Sequence, residues 1–175
     1  MHYSGVKVLL RTLLVFWFAL SAHAAANTQW RLLLSTEVAK PGDTVLAGLE
    51  MKIPPKWHTY WRNPGDSGIP TSIKWTLPSG IKAGELQWPI PKKFTESQGE
   101  ISLVTYIYED TVVLLIPMEI SKDVAPGQFQ LQGKVSWQEC EQLCVQGHTD
   151  VTATLTIGTE TKLSADAPLI SQWQH

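Results

Sequence analysis

Two segments in the second half of the chain alternate between apolar and polar residues. Across residues 128–137, apolar residues and one glycine occupy every second position, with glutamine, lysine and serine between them. Residues 151–157 repeat the pattern, with threonine at the polar positions. Only an extended strand points alternate side chains to opposite faces, so both segments are predicted to be strands with one buried face. Such a chain must build its core from sheets.

Seven further segments have the composition of strands, and turns rich in glycine and proline separate them. They are residues 30–35, 44–52, 57–61, 72–76, 85–88, 101–108 and 111–120. Glu109 and Asp110 form a short connection between two apolar runs, which predicts a hairpin. No window carries a helical stripe of ten or more residues, although the tail from Ser164 to His175 is either a loose end or a short docked helix. The pattern predicts an all-β fold, an immunoglobulin-like antiparallel β-sandwich.

The first residues have the features of a secretory signal. Lys7 and Arg11 precede an apolar stretch over residues 12–22, and small residues at Ala22 and Ala24 fit a cleavage site. The alternative is an uncleaved anchor, but the stretch is about half of the ~20 residues that a spanning helix needs. We therefore expect a signal peptide over residues 1–24 and a single domain over residues 25–175, with no transmembrane segment in the mature chain.

Composition excludes two classes of protein. Without Lys7 and Arg11, 12 basic and 16 acidic residues remain, a formal net charge of −4. An acidic chain without a cluster of Lys or Arg is a poor ligand for nucleic acid. A hydrophobic content of 43% with eight tryptophans argues against disorder.

Cys140 and Cys144 are the two cysteines of the chain, and they follow the first alternating segment. In an exported protein we expect them to be oxidised together. One interpretation is a reactive disulfide for thiol–disulfide exchange. Another is a structural staple, although closing so short a loop contributes only about 2 kcal/mol. Glu139 and Glu141 flank Cys140 and disfavour a thiolate, which suggests a passive relay rather than a strong oxidant.

A third interpretation is a copper or zinc site made of Cys140, Cys144 and His148. The spacing of four and four would place all three on one face of a helix, and sulfur with imidazole suits Cu(I) or Zn. Gly147 and the β context argue against a helix there, and a fourth ligand would have to come from afar, such as His58 or Met118. We expect no metal and no other cofactor.

The segment from Trp57 to Trp75 concentrates aromatic residues, including Tyr60 and Trp61, around a turn rich in glycine and proline. One interpretation is a core strand with a rigid turn. The other is an aromatic wall around the disulfide, or a surface that docks a partner.

Five segments occur in the same order as in a known family: residues 57–75, 86–94, 105–109 and 113–117, and the run from Trp137 to Cys144. Together they resemble the N-terminal periplasmic domain of DsbD-like thiol:disulfide interchange proteins, and most of all the branch that includes the ScsB proteins. The resemblance extends over residues 30–157.

The resemblance implies an immunoglobulin-like domain in the periplasm of a Gram-negative bacterium. By position, Cys140 and Cys144 match the family's redox pair, which takes electrons from a membrane-embedded or thioredoxin-like donor and reduces periplasmic disulfide proteins. Residues 91–99 resemble the family's cap loop, with Phe94 as the lid, and Tyr60 resembles an aromatic residue near the disulfide. Trp57 and Trp61 are the expected contacts with partners, and the domain is expected to be a monomer.

Two departures from the family pattern bear on this prediction. Val145-Gln146-Gly147 stands where the branch often has a proline, and residues 1–175 contain neither the membrane domain nor the thioredoxin-like domain of DsbD-like proteins. We therefore expect a separate electron donor, a truncated copy or a reused domain. The remaining alternative is a non-catalytic binding module that docks partners through residues 57–61.

Continued alternation past Trp137 would put Cys140 on the polar face, which predicts that partners attack this sulfur.

Overall fold

The computed structural model describes residues 27–174, so the predicted signal peptide lies outside the described residues. Strands dominate, at 61% against 3% helix. In chain order the elements are β1 (Gln29–Leu34), β2 (Thr36–Ala39), β3 (Thr44–Lys52), β4 (His58–Gly65), β5 (Ser72–Thr76), β6 (Ile81–Ala83), β7 (Lys92–Gln98), β8 (Ile101–Tyr108), β9 (Thr111–Ile120), β10 (Gly127–Cys140), β11 (Cys144–Ile157), β12 (Lys162–Leu163) and α1 (Ala167–Ser171). Within residues 27–174, no helix has the length and apolar character of a membrane span.

The strands form two sheets. The smaller sheet has the order β1-β3-β9-β6, and the larger has the order β12-β2-β11-β10-β4-β8-β7, with β5 paired to β10 as well. The pairings are antiparallel except for a short contact between β11 and β2. This arrangement confirms the predicted all-β class and the immunoglobulin-like antiparallel architecture.

The main core draws buried apolar side chains from both sheets. They include Leu49, Met51, Leu114, Ile116, Leu131, Val135 and Leu155. Burying each such side chain contributes roughly 1.5–3 kcal/mol, so the alternation in β10 and β11 is what attaches the larger sheet to the smaller one.

A second, smaller core lies on the other face of β9. Val113 and Leu115 of β9 pack there with Leu33 of β1 and with Ile170 of α1. Burial on both faces explains the unbroken apolar run in β9. Of the two predictions for the tail, the docked short helix is confirmed.

Two predictions about local structure are wrong. Glu109 and Asp110 do not close a hairpin, because β8 belongs to the larger sheet and β9 to the smaller. Asp110 adopts a φ of 59°, and its carbonyl accepts a hydrogen bond from the Ile53 amide, so the chain crosses between sheets there. Residues 85–88 are not a strand either, since only an isolated bridge joins Gln87 to Leu115.

Candidate functional site: a disulfide at the tip of the longest hairpin

The two alternating segments form the longest hairpin of the described chain. β10 and β11 have 14 residues each and pair from Gly127 with Ile157 to Cys140 with Cys144. Residues 141–143 close the hairpin. The two cysteines thus face each other as the last pair of the ladder, with their Cα atoms 4.1 Å apart, and they form the predicted disulfide.

The two sulfur-bearing residues differ in exposure. Cys140 is 3% exposed, whereas Cys144 is exposed to solvent. The expectation that Cys140 lies on an open, polar face is therefore wrong. The alternation itself continues, because Trp137 and Glu139 share one face and Cys140 lies on the other. That other face is covered at this point by Tyr60 of β4 and Ile107 of β8, which form a buried cluster with Cys140.

Tyr60 makes the main polar contact with the disulfide. Its hydroxyl donates a hydrogen bond to Cys140 Sγ at 3.0 Å, and it lies 3.9 Å from Cys144 Sγ. Burial raises the pKa of Tyr60, and the negative charge of Glu96 adds to the effect. The phenol therefore keeps its proton at neutral pH and acts as a donor to the sulfur.

His58 lies beside this contact, directly across from Cys140 in the ladder between β4 and β10. Its Nε2 atom is 3.3 Å from the Tyr60 hydroxyl. Burial lowers the pKa of His58, although Glu109 and Glu96 act in the opposite direction. Sequence reasoning gives His58 only the role of a distant metal ligand. The alternation of side chains along a strand could have identified His58 as a neighbour of Tyr60, because the two residues are two positions apart on one strand and share a face.

Phe94 covers the cluster from β7. Its half-buried side chain packs against the group formed by Tyr60, Ile107 and Cys140, and its ring centroid is 5.6 Å from that of His58. The segment that resembles a cap loop is an edge strand here, because β7 pairs with β8 from Lys92 to Gln98. An ion pair between Lys92 and Glu109, 2.6 Å long, links this strand to the end of β8.

The other predicted aromatic residues lie elsewhere. Trp57 and Trp61 are half-buried against the main core rather than in the cluster around Cys140. Trp61 packs edge-on against Tyr106, with the guanidinium of Arg62 5.2 Å from its ring centroid. Of the residues predicted near the disulfide, Tyr60 and Phe94 are brought to it.

The structure does not bring together the predicted metal ligands. His148 lies four residues along β11 from Cys144, about 13 Å at the rise of a strand, and not one helical turn away. The sulfurs of Cys140 and Cys144 are bonded to each other in the disulfide, not held as thiolate ligands. Among residues 27–174, no group of three or more His, Cys, Asp or Glu side chains is arranged to hold a metal ion.

The carboxylate of Glu139 is turned away from the sulfurs. It is fully buried on the core face of β10, where it accepts hydrogen bonds from the backbone amides of Asn27 and Thr28 and from Trp137 Nε1. Glu141, the other flanking acid, is exposed in the turn. Glu139 therefore anchors the hairpin to the start of β1 and is not a neighbour of Cys140 on the disulfide face.

Comparisons with known sequences and structures relate the chain to one family. A sequence profile described as "Thiol:disulfide interchange protein DsbD, N-terminal" matches residues 29–156. The N-terminal periplasmic domain of ScsB from Proteus mirabilis is 25% identical with a TM-score of 0.53, and the alignment covers 81% of this chain and 50% of that one. This chain thus matches about half the length of the ScsB domain.

A weaker match is the N-terminal domain of Neisseria meningitidis DsbD in its reduced form, at 13% identity and a TM-score of 0.37, covering 75% of this chain and 89% of that one. No match was found among curated protein sequences. The family match spans well over half of the chain and includes the disulfide. The chain therefore belongs to the family of DsbD N-terminal domains of thiol:disulfide interchange proteins, and a disulfide-bonded cysteine pair lies at the tip of the longest hairpin among its described residues.

Proposed function

We propose that this chain is a periplasmic thiol–disulfide exchange domain that relays electrons through Cys140 and Cys144 to periplasmic disulfide proteins. The observation that carries the proposal is the unequal exposure of the two sulfur-bearing residues. Exchange needs one sulfur that a partner can reach and a second that leaves. Exposed Cys144 fits the first role, and Cys140, buried beside the hydroxyl of Tyr60, fits the second.

The first half of the relay reduces the domain. A thiolate of the donor attacks Cys144 Sγ, a bond forms between these sulfurs, and the Cys140–Cys144 bond breaks. Cys140 leaves as a thiolate that accepts the hydrogen bond from Tyr60. A second donor thiol then attacks the donor's own sulfur in the mixed disulfide and releases Cys144. The donor ends as a disulfide, and the domain gains two electrons and two protons as two thiols.

The second half returns the domain to its oxidised form. The Cys144 thiolate attacks one sulfur of the acceptor's disulfide, and the acceptor's other sulfur leaves as a thiol. Cys140 then attacks Cys144 in the mixed disulfide, which frees the acceptor with two thiols and restores the Cys140–Cys144 bond. Turnover therefore requires partners on both sides, and the domain alone exchanges only two electrons.

The donor is a membrane-embedded or thioredoxin-like protein, and the chain reaches the periplasm by its signal peptide over residues 1–24. Family membership supports thiol redox partners, and the ScsB domain that the chain resembles is a periplasmic one. We expect the domain to meet its partners as a monomer.

The reduction potential of the pair tests the proposal. Purified domain is equilibrated in glutathione and dithiothreitol buffers, and the thiol fraction is followed by alkylation and mass spectrometry. A potential between about −180 and −270 mV, the range of known exchange proteins, is expected. A potential well below about −300 mV would identify the disulfide as a staple. The binding module that docks through Trp57 and Trp61 would then be the better explanation.

A further inference from the structure

A short segment crosses over Tyr60 on the disulfide face, and we call residues 65–70 the strap. Its first residue, Gly65, pairs with Thr105 of β8. At its far end, the amide of Ile69 donates to the side-chain oxygen of Gln138 in β10 at 2.9 Å. Because β4 lies between β8 and β10 in the larger sheet, the strap spans β4, the strand that carries Tyr60.

The strap is fastened to β8 by two further hydrogen bonds. The amide of Asp66 donates to the carbonyl of Val104 at 2.9 Å, and the Val104 amide donates to the Asp66 carboxylate at 2.7 Å. Bonds at both ends fix the height of the strap above the sheet.

Gly68 is the point at which the strap touches the ring. A Cβ atom on Gly68 would lie only 2.3–2.6 Å from Cδ1, Cε1 and Cγ of Tyr60, far inside van der Waals contact. Gly68 also has a φ of 106°, a conformation that residues with a side chain rarely adopt. Tyr60 also packs with Cys140 and Ile107, and it is only 4% exposed. A side chain at position 68 would therefore have to displace the ring or the strap.

We propose that Gly68 is a positioning residue that seats the Tyr60 hydroxyl on Cys140 Sγ. A hydrogen bond to a thiolate is stronger than one to a disulfide sulfur, so the contact favours the step in which Cys140 leaves. A side chain at position 68 would push the ring and weaken that contact. The role of Gly68 in the relay rests on the proposed function. The hydrogen bond from Tyr60 to Cys140 Sγ, however, favours the attack of any thiol on Cys144, whether or not that thiol belongs to a protein.

The test is a double-mutant cycle on the rate at which dithiothreitol reduces the disulfide. Tyr60→Phe keeps the ring and removes the hydroxyl, and it is expected to slow reduction about tenfold. Gly68→Ala is expected to slow it to a similar extent in the wild type and not at all in the Tyr60→Phe background. Gly99→Ala is the matched control, because Gly99 also has a positive φ, 64°, yet a Cβ atom at this position would meet no atom within 4 Å.

Additive effects of Tyr60→Phe and Gly68→Ala would overturn the proposal, as would an equal slowing by Gly99→Ala. If Gly68→Ala does not fold, Gln138→Met releases the Ile69 end of the strap without adding atoms at the ring, and the same cycle with Tyr60→Phe applies. Dithiothreitol needs no protein partner. A failure of the proposal for Gly68 is thus distinct from a failure of the proposed relay, because the reduction potential tests the relay.

Discussion

The hydroxyl of Tyr60 donates a hydrogen bond of 3.0 Å to the sulfur of Cys140, although 80 residues separate the two in the chain. The contact exists because β4 and β10 are neighbours at the tip of the hairpin, where Cys140 pairs with His58. Since burial raises the pKa of Tyr60, the phenol remains a donor throughout the physiological pH range. The buried sulfur therefore has a fixed hydrogen-bond donor, whereas Cys144 is exposed.

Cysteine variants should trap partners unequally. Cys140→Ala leaves the exposed Cys144 thiol without its resolving partner, so mixed disulfides with periplasmic proteins are expected to accumulate. In Cys144→Ala the remaining thiol lies in the buried cluster, and few adducts are expected. Non-reducing gels of cells that produce each variant, followed by mass spectrometry of the adducts, measure the difference. Equal or greater trapping by Cys144→Ala would contradict the assignment of Cys144 as the attacked sulfur.

Removing the ring of Phe94 should open the cluster. In the Cys144→Ala background, Phe94→Ala is expected to speed alkylation of the Cys140 thiol several-fold, because a half-buried ring no longer covers Tyr60, Ile107 and Cys140. The unfolding free energy should fall by only about 1–2 kcal/mol, less than for a fully buried phenylalanine. Phe129→Ala, at a half-buried position on the main core, is the matched control and should cost stability without changing the rate. An unchanged alkylation rate in Phe94→Ala would show that the ring does not shield Cys140.

The stability of the fold should depend on pH through His58. Burial lowers its pKa in the folded state, so below about pH 6.5 the unfolded chain binds a proton that the folded chain resists. The stability that depends on neutral His58 is fully present above about pH 6.5 and is lost as the pH falls below that value. His58→Gln should flatten this part of the curve, measured by urea unfolding between pH 5 and pH 8. A pH dependence that His58→Gln leaves unchanged would contradict the assignment.

Glu139 should be needed for stability rather than for exchange. Its two carboxylate oxygens accept three hydrogen bonds, from Asn27, Thr28 and Trp137. Glu139→Gln replaces one acceptor by a donor amide, which leaves a buried N–H group without its partner. The unfolding free energy should drop by about 2–3 kcal/mol in urea titrations, whereas Glu141→Gln, in the exposed turn, should stay within about 0.5 kcal/mol. If Glu139→Gln left the unfolding free energy unchanged, water would have to replace these hydrogen bonds.

Several features were predictable because they depend on neighbours along the chain. The period of two over residues 128–137 and 151–157 reports side-chain direction locally, so it identified the strands that become the long hairpin. The spacing of Cys140 and Cys144 beside such a strand indicated a pair that could close a disulfide, which the structure contains. Parity also predicted that Cys140 lies on the face opposite Trp137, but that face is covered here rather than polar.

What alternation does not report is whether a face is covered. The outer face of β10 is buried at Cys140 because Tyr60, Ile107 and Phe94 arrive from β4, β8 and β7, through pairings between strands far apart in sequence. The same limit applies at Asp110, where two apolar runs look like a hairpin but enter different sheets. The sequence by itself determined the two strands of the long hairpin, the class of fold and the cysteine pair, since local patterns encode them. Only the tertiary structure decided which sulfur is exposed and which hydroxyl contacts the other, because these depend on which strands become neighbours.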